Sequence, residues 1–369
     1  MSFKRLFSRS LEAAPGRLHF AAHSHHLWPD ASWEGHREAW EDAARLADRK
    51  WDKVFAEVIP EAQRHIAREL SLPDPATIAF APNTHELLVR LISALPMPCP
   101  RVLATDGEFH SFRRQSQRWA EAGAIELVTV PPGRLVETAQ GRGFDLIFAS
   151  QVAFSTGRPL GDLTPLAALA RPEGPWVAID GYHGFMATPT DLSAVADRLF
   201  YLAGGYKYAM AGEGVCFLHA PPHFAPRPVN TGWYAAFDDL AARQGGVGYA
   251  LDGRRFLGST FDPSGLYRFN AVQRMLAPKG LNTAAISAHC DALKARFEAA
   301  NPLADFKRIG APDARFLALQ GPRAGEVQAA LAARDAITDV RGDVLRIGFG
   351  LYQHADDIDR LVALLAEIA

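Results

Sequence analysis

The chain has 369 residues, 48% hydrophobic and 22% charged, the balance of a globular protein able to bury a large core with a smaller companion unit. Its 39 lysines and arginines against 41 acids leave a formal charge of −2, so no basic excess points to nucleic acid. Three scattered cysteines, Cys99, Cys216 and Cys290, exclude a disulfide framework or a cysteine-rich zinc site and make a reducing cytoplasm the expected compartment.

The first ten residues are basic but lack the apolar stretch of a secretory signal, and no apolar run is long enough for a bilayer. The stretch 18–29 reads as a short strand entering a histidine-rich turn, His23-Ser-His-His26. Asp30 reads as the N-cap of a long helical region over 32–70, broken near Pro60 and carrying Trp33, Trp40, Leu46, Trp51 and Phe55. After Pro73 and Pro75 the pattern alternates. Strands are expected at 77–80, 101–105, 125–130, 144–150, 176–180, 199–203 and 215–218, with helices near 85–95, 111–122, 163–170 and 191–196. Continuously apolar strands separated by helices predict an α/β fold with a mainly parallel sheet covered on both faces. The segment 221–263 is loop-rich and 264–299 is helical. The end reads as an α+β unit, with antiparallel strands at 306–309, 316–319 and 344–348 and an amphipathic helix over 355–368. The expected division is an N-terminal segment 1–70, a large domain 71–263 and a small C-terminal domain 264–369.

Ligands of such sheets bind where the strands end at their carboxyl side. Between the sixth and seventh expected strands, Gly204, Gly205, Gly212 and Gly214 surround Tyr206-Lys-Tyr208. A lysine held in a water-poor loop loses proton affinity, and its neutral amine can form a Schiff base with an aldehyde; the plain alternative is a surface lysine. Asp180 ends a buried strand and is followed by Gly-Tyr-His183. That carboxylate suits a pyridinium nitrogen and His183 a phenolic oxygen, whereas a helix cap is the structural alternative. Asn83-Thr84 opens a helix, a seat for phosphate or an ordinary cap. Phe109 or His110 could stack on a flat ring, or belong to the core. Arg346, among Val344, Leu345, Ile347 and Phe349, needs an anionic partner: a substrate carboxylate or a structural salt bridge.

Together these residues resemble the pyridoxal-phosphate enzymes of fold type I, in the class V aminotransferase family, and most of all the kynureninases. The resemblance rests on Tyr206-Lys-Tyr208, Asp180 with His183, Asn83-Thr84, Phe109, Thr156-Gly157, Gly232-Trp233 and the segment 345–359. It implies a seven-stranded, mainly parallel sheet with a smaller C-terminal domain, a homodimer with shared active sites, and an α-amino acid substrate. Lys207 would hold pyridoxal 5′-phosphate and shuttle protons, with Asp180 on the pyridinium, His183 on the phenolic oxygen and Phe109 over the ring. Thr84 and Tyr206, with Asn83 beside them, would bind the phosphate, and Thr260 would reach the partner's phosphate. Arg346 would grip the substrate carboxylate. His23-Ser-His-His-Leu27 stands where kynureninases carry Asn-Ser-Leu-Gly, so this region, His25 included, borders the expected substrate pocket. Desulfurases of the family need a cysteine shortly before the terminal arginine, and 302–345 contains none.

The expected reaction is hydrolytic β–γ carbon cleavage of an aroyl-alanine, with amino-group transfer to a 2-oxo acid as the alternative. Two other classes compete. His23-Ser-His25 has the spacing of a metal-dependent amidohydrolase, with Lys207, His183, His219 and Asp180 as further ligands, but that class needs a closed (β/α)₈ barrel. A non-catalytic relative would have no physical reason to keep Lys207, Asp180 and Arg346 together.

Overall fold

The computed structural model describes residues 2–141, 143–239, 245–300 and 302–368. Seven strands form the central sheet: β1 Ile78–Ala81, β2 Arg101–Thr105, β3 Glu126–Val130, β4 Leu146–Ser150, β5 Trp176–Asp180, β6 Leu199–Gly204 and β7 Cys216–His219. Their order is β1-β7-β6-β5-β4-β2-β3, and all neighbours run parallel except β7, which is antiparallel to both β1 and β6. Apolar residues fill both faces of the interior strands, so β6 is buried at every position, while the edge strand β3 stays part-exposed. Phe112 stacks flat on Phe148, 3.9 Å between centroids, and pins the helix His110–Glu121 to the sheet.

The alternating apolar strands lie where the sequence pattern predicts them, shifted by two residues at most. The helix expected at 191–196 is absent: the link from β5 to β6 is a run of turns held by local bonds such as Thr190 Oγ1 to the Thr188 carbonyl. The helical region expected over 32–70 is several pieces. Helix Asp30–Leu46 ends at Ala47, whose φ is +52°, and a π-turn at Val54–Val58 precedes helix Ile59–Leu70. Pro60 sits in the first turn of that last helix, where its missing N–H costs nothing. Asp30 does not cap its own helix; its carboxylate accepts from the backbone N–H groups of Ser8 (3.2 Å) and Arg9 (3.0 Å), tying down the N-terminal arm.

The helical stretch 264–299 is likewise two helices, Ser264–Leu276 and Thr283–Ala300, separated at Gly280 with φ +64°. Helix Ser264–Leu276 crosses Asp30–Leu46 at Gly35, where a Cβ would lie 2.5 Å from the Tyr267 carbonyl oxygen. The C-terminal unit is a four-stranded antiparallel sheet, in order Asp339–Arg341, Val344–Gly348, Phe316–Gln320 and Lys307–Arg308; the helix Ala324–Ala332 packs on its first two strands and against the helix Ala355–Ile368. Leu18–His19 pairs in parallel with Ala336–Ile337, so the start of the chain is stitched to this unit. No described helix is long and apolar enough to cross a membrane.

Candidate active site

The carboxyl ends of β1, β2, β4, β5 and β6 face the same side, and their loops converge on Lys207. Three residues past β6, Lys207 is 4% exposed. Its Nζ lies 4.5 Å from the ring centre of Tyr182, 5.3 Å from that of Phe109 and 5.4 Å from that of Tyr206. Burial strips water from the ammonium and lowers its pKa to about 7; Asp180 opposes the shift and Arg346 adds to it. The amine contacts Nε2 of His183 at 2.8 Å. Burial first, then Lys207 and Arg346, hold His183 well below the usual imidazole range, so the ring is neutral. Its Nδ1 is buried and has no partner among the described residues.

Asp180, the last residue of β5, accepts the backbone N–H of Tyr182 at 2.9 Å. No helix follows, so the carboxylate caps a turn rather than a helix. Burial raises its pKa, partly offset by the Tyr182 N–H and Lys207. Tyr206 packs on Tyr182 at 4.7 Å, and burial pushes its phenol up to about 12. His25 is exposed and stacks on Tyr206 at 4.9 Å, its Nε2 3.8 Å from Glu213. Asn83 caps the helix Thr84–Ser93, its side chain accepting the Glu86 N–H at 2.9 Å. Thr84 is half-buried at the first turn. Thr260 is exposed and lines a separate cleft with Phe80, Ala81, Glu86, Arg90 and Asn230.

Arg346 arrives from the small sheet. Its anionic partner within the chain is Asp339, bonded to Nη2, while Nη1 bonds the Phe154 carbonyl. The salt-bridge alternative for Arg346 is therefore realised in this chain, with part of the guanidinium still free: Nε has no partner among the described residues.

Several residues here were not singled out from sequence. Tyr182, between Asp180 and His183, supplies the nearest of the three phenyl and phenol rings around the amine. Phe154 packs edge-on to Phe109 at 5.4 Å and beside His110 at 5.1 Å, making a ring wall near Arg346. Glu108 is buried, accepting from Thr105 Oγ1, Ser150 N (3.0 Å) and Ser150 Oγ (2.6 Å). Burial lifts its pKa to about 7 against those bonds. An acid between Gly107 and Phe109 was the available signal, masked by the loop's turn-like composition. The amidohydrolase arrangement does not form. The sheet is open, His219 is bonded to Thr77 and the Ala196 carbonyl at the far end of β7, and no three metal-ligating side chains gather among the described residues.

No protein-family profile matches the chain. Isopenicillin N epimerase of Streptomyces clavuligerus is 30% identical over 193 residues, 48% of this chain and 48% of its own length, so the chain spans about half of the curated relative it matches. The whole chain superimposes on more distant solved structures. A cystine C–S lyase, C-DES, in complex with its product cysteine persulfide, is 18% identical with a TM-score of 0.82, covering 97% of this chain and 99% of that one. A C-DES variant carries glycine covalently linked to its pyridoxal-phosphate cofactor and matches with a TM-score of 0.83, 18% identity and coverage of 97% and 98%. The cysteine desulfurase CsdA of Escherichia coli is 19% identical with a TM-score of 0.80, covering 99% and 97%. In its mostly parallel seven-stranded sheet and its appended α+β unit, the chain has the fold-type-I architecture of these proteins.

Proposed function

We propose that the chain is a pyridoxal-phosphate-dependent enzyme acting on an α-amino acid. One observation carries this reading: a buried amine, Lys207, with its pKa lowered to about 7 by burial, stands among three aromatic rings at the carboxyl edge of the sheet. The orphaned Nδ1 of His183 and the desolvated carboxylate of Asp180 fit the same ligand, since each lacks the polar or cationic partner that such a ring would bring. When bound, the cofactor supplies an electron sink for the charge left at a substrate's Cα.

Lys207 would hold the cofactor covalently, Asp180 would face its ring nitrogen, His183 its phenolic oxygen, and Phe109 would cover one face. Asn83, Thr84 and Tyr206 would seat the phosphate at the N-terminus of helix Thr84–Ser93. Lys207 Nζ would then take and return the Cα proton, a task suited to an amine whose proton affinity lies near working pH. Arg346 would orient the substrate carboxylate, and His25, stacked on Tyr206, would border the entrance.

A homodimer with shared sites belongs to this reading. Of the seven exposed large hydrophobics among the described residues, Val229, Trp233, Val247 and Leu251 lie in the loop-rich segment that leads to Thr260, which would reach the partner's phosphate.

For the reaction itself we favour hydrolytic β–γ cleavage of an aroyl-alanine, supported by the Phe109–His110–Phe154 wall beside Arg346. A second reading, proton return to Cα without bond cleavage, draws on the partial likeness to an epimerase. Amino-group transfer is the third. Desulfurase chemistry has little support here: Cys216 and Cys290 are buried, burial raises both thiols, and 302–345 has no cysteine. The deciding assay offers L-kynurenine and a panel of L- and D-amino acids with 2-oxo acids. Anthranilate with alanine supports hydrolysis, an inverted enantiomer supports epimerisation, and a new oxo acid supports transfer. Borohydride treatment with pyridoxal phosphate should add covalent mass at Lys207; an unlabelled Lys207 would sink the whole reading.

A further inference from the structure

The small sheet does more than deliver Arg346. Its register sets Asp339 directly opposite Arg346, so the pair belongs to the strand geometry and not to a chance surface contact. Asp339 bonds Nη2 of Arg346, and its other oxygen forms an ion pair with Nη1 of Arg341 at 2.8 Å. A third group closes the arrangement. Nε2 of His23 lies 3.6 Å from Asp339, longer than a hydrogen bond, and the His23 ring stacks on Phe316 at 4.7 Å. His23 is fully buried, and burial lowers its pKa to about 4, so it offers Asp339 a dipole and no second charge.

Gly348 makes room for that ring: a Cβ there would lie 2.2 Å from His23 Nδ1. Phe316 also lies under the guanidinium, 5.5 Å from Cζ, so one ring backs both His23 and Arg346. The guanidinium is thus fixed on one edge by Asp339 and on another by the Phe154 carbonyl, and Nε stays without a partner among the described residues.

We propose that Asp339 is the positioning residue of a carboxylate clamp: it fixes the plane of the Arg346 guanidinium, and Arg341 and His23 fix Asp339 in turn. This rests on the reading of the site as one that takes an amino acid by its carboxylate. The physical gain is pre-organisation. A guanidinium already aimed loses less rotamer freedom when it meets an anion in bidentate fashion.

The test uses the full-length, cofactor-loaded chain and titrates the unreactive carboxylate 3-phenylpropionate, followed by the shift it causes in cofactor absorbance. Wild type should give a saturable shift. Asp339→Ala should weaken that binding by about tenfold, the loss expected for a misaligned charge-assisted pair. Cofactor content and labelling of Lys207 should not change. Asp339→Asn keeps an oxygen that can accept from Nη2 and should recover much of the affinity. If Asp339→Ala does not fold, Arg341→Gln on the exposed side of the carboxylate carries the test and should weaken 3-phenylpropionate without altering cofactor uptake. A merely structural role would lower the Tm of the variants and leave the affinity of the folded protein unchanged, which overturns the proposal. Tighter binding after loss of Asp339, or no response in wild type, overturns it as well. A wild-type chain that takes up no cofactor would overturn both this proposal and the functional reading beneath it.

Discussion

Lys207 Nζ and His183 Nε2 stand 2.8 Å apart inside the protein, two bases that both lose proton affinity on burial. A proton on Lys207 disfavours one on His183, so the pair is held neutral or singly charged, and burial keeps the amine available as a base. The carboxylate that compensates Lys207 is Asp180, at the end of the adjacent strand, and its own desolvation limits how much it can offset.

That burial has a measurable sign. Lys207 binds a proton less tightly in the folded chain, about 7, than in the unfolded one, so folding is penalised in full below pH 7 and the penalty lifts as pH rises toward 10. Each tenfold in proton affinity is worth about 1.4 kcal/mol. In the cofactor-free protein, Lys207→Met should be more stable than wild type at pH 6 by a few kcal/mol, with the gap closing by pH 10. Denaturant midpoints across that range would decide it; a gap independent of pH would contradict the account.

Glu108 behaves in the opposite window. Its carboxyl is raised to about 7 by burial, so stability is complete below about pH 4 and falls as pH rises through 7. Glu108→Gln keeps an acceptor for Ser150 and removes the charge. Its stability relative to wild type should improve steadily between pH 4 and 7 and level off above, as read by chemical denaturation.

Gly204 ends β6 immediately before the lysine loop, and a Cβ there would lie 2.3 Å from Cys216 Sγ and 2.4 Å from the Tyr182 hydroxyl. Both neighbours are buried, so neither can move freely. Gly204→Ala should cost about 1–3 kcal/mol of stability by overpacking. It should also displace Tyr182 and reduce pyridoxal-phosphate uptake, visible in the absorbance of the loaded protein. Unchanged Tm and uptake would show that the β6–β7 corner is looser than this packing implies.

Arg346 and Asp339 should couple in stability. Burial alone would raise the Asp339 pKa, but His23 and Arg346 hold it well below the usual carboxylate range. Arg346→Met leaves that carboxylate with Arg341 and the neutral His23 ring and should cost about 3 kcal/mol, the scale of breaking a buried pair. Adding Asp339→Asn should restore part of the loss. A double-mutant cycle with no interaction energy would mean that Arg341 and His23 satisfy Asp339 without Arg346.

If the loop-rich segment forms a subunit interface, Leu251→Glu should shift the sedimentation of the protein from dimer toward monomer. Leu251 is 90% exposed in the single chain, so the substitution should leave the monomer fold intact by circular dichroism. A wild-type protein that sediments as a monomer would remove the interface and with it the role of Thr260.

Much of this protein is written locally. The strand positions, the glycine-framed Lys207 and the strand-ending Asp180 follow from short-range patterns, because a buried parallel strand and a ligand loop each leave a composition mark within a few residues. Helix boundaries were less legible: the breaks at Ala47 and Gly280 are positions of positive φ inside stretches whose composition reads as continuously helical. What only the tertiary structure decided is the company each group keeps. That Arg346 answers to Asp339, that His23 lies sealed behind Phe316 and that Tyr182 packs over the amine all depend on register and on the docking of two sheets. Such pairings join residues up to hundreds of positions apart, and the energies that select them, desolvation above all, exist only once the interior has closed.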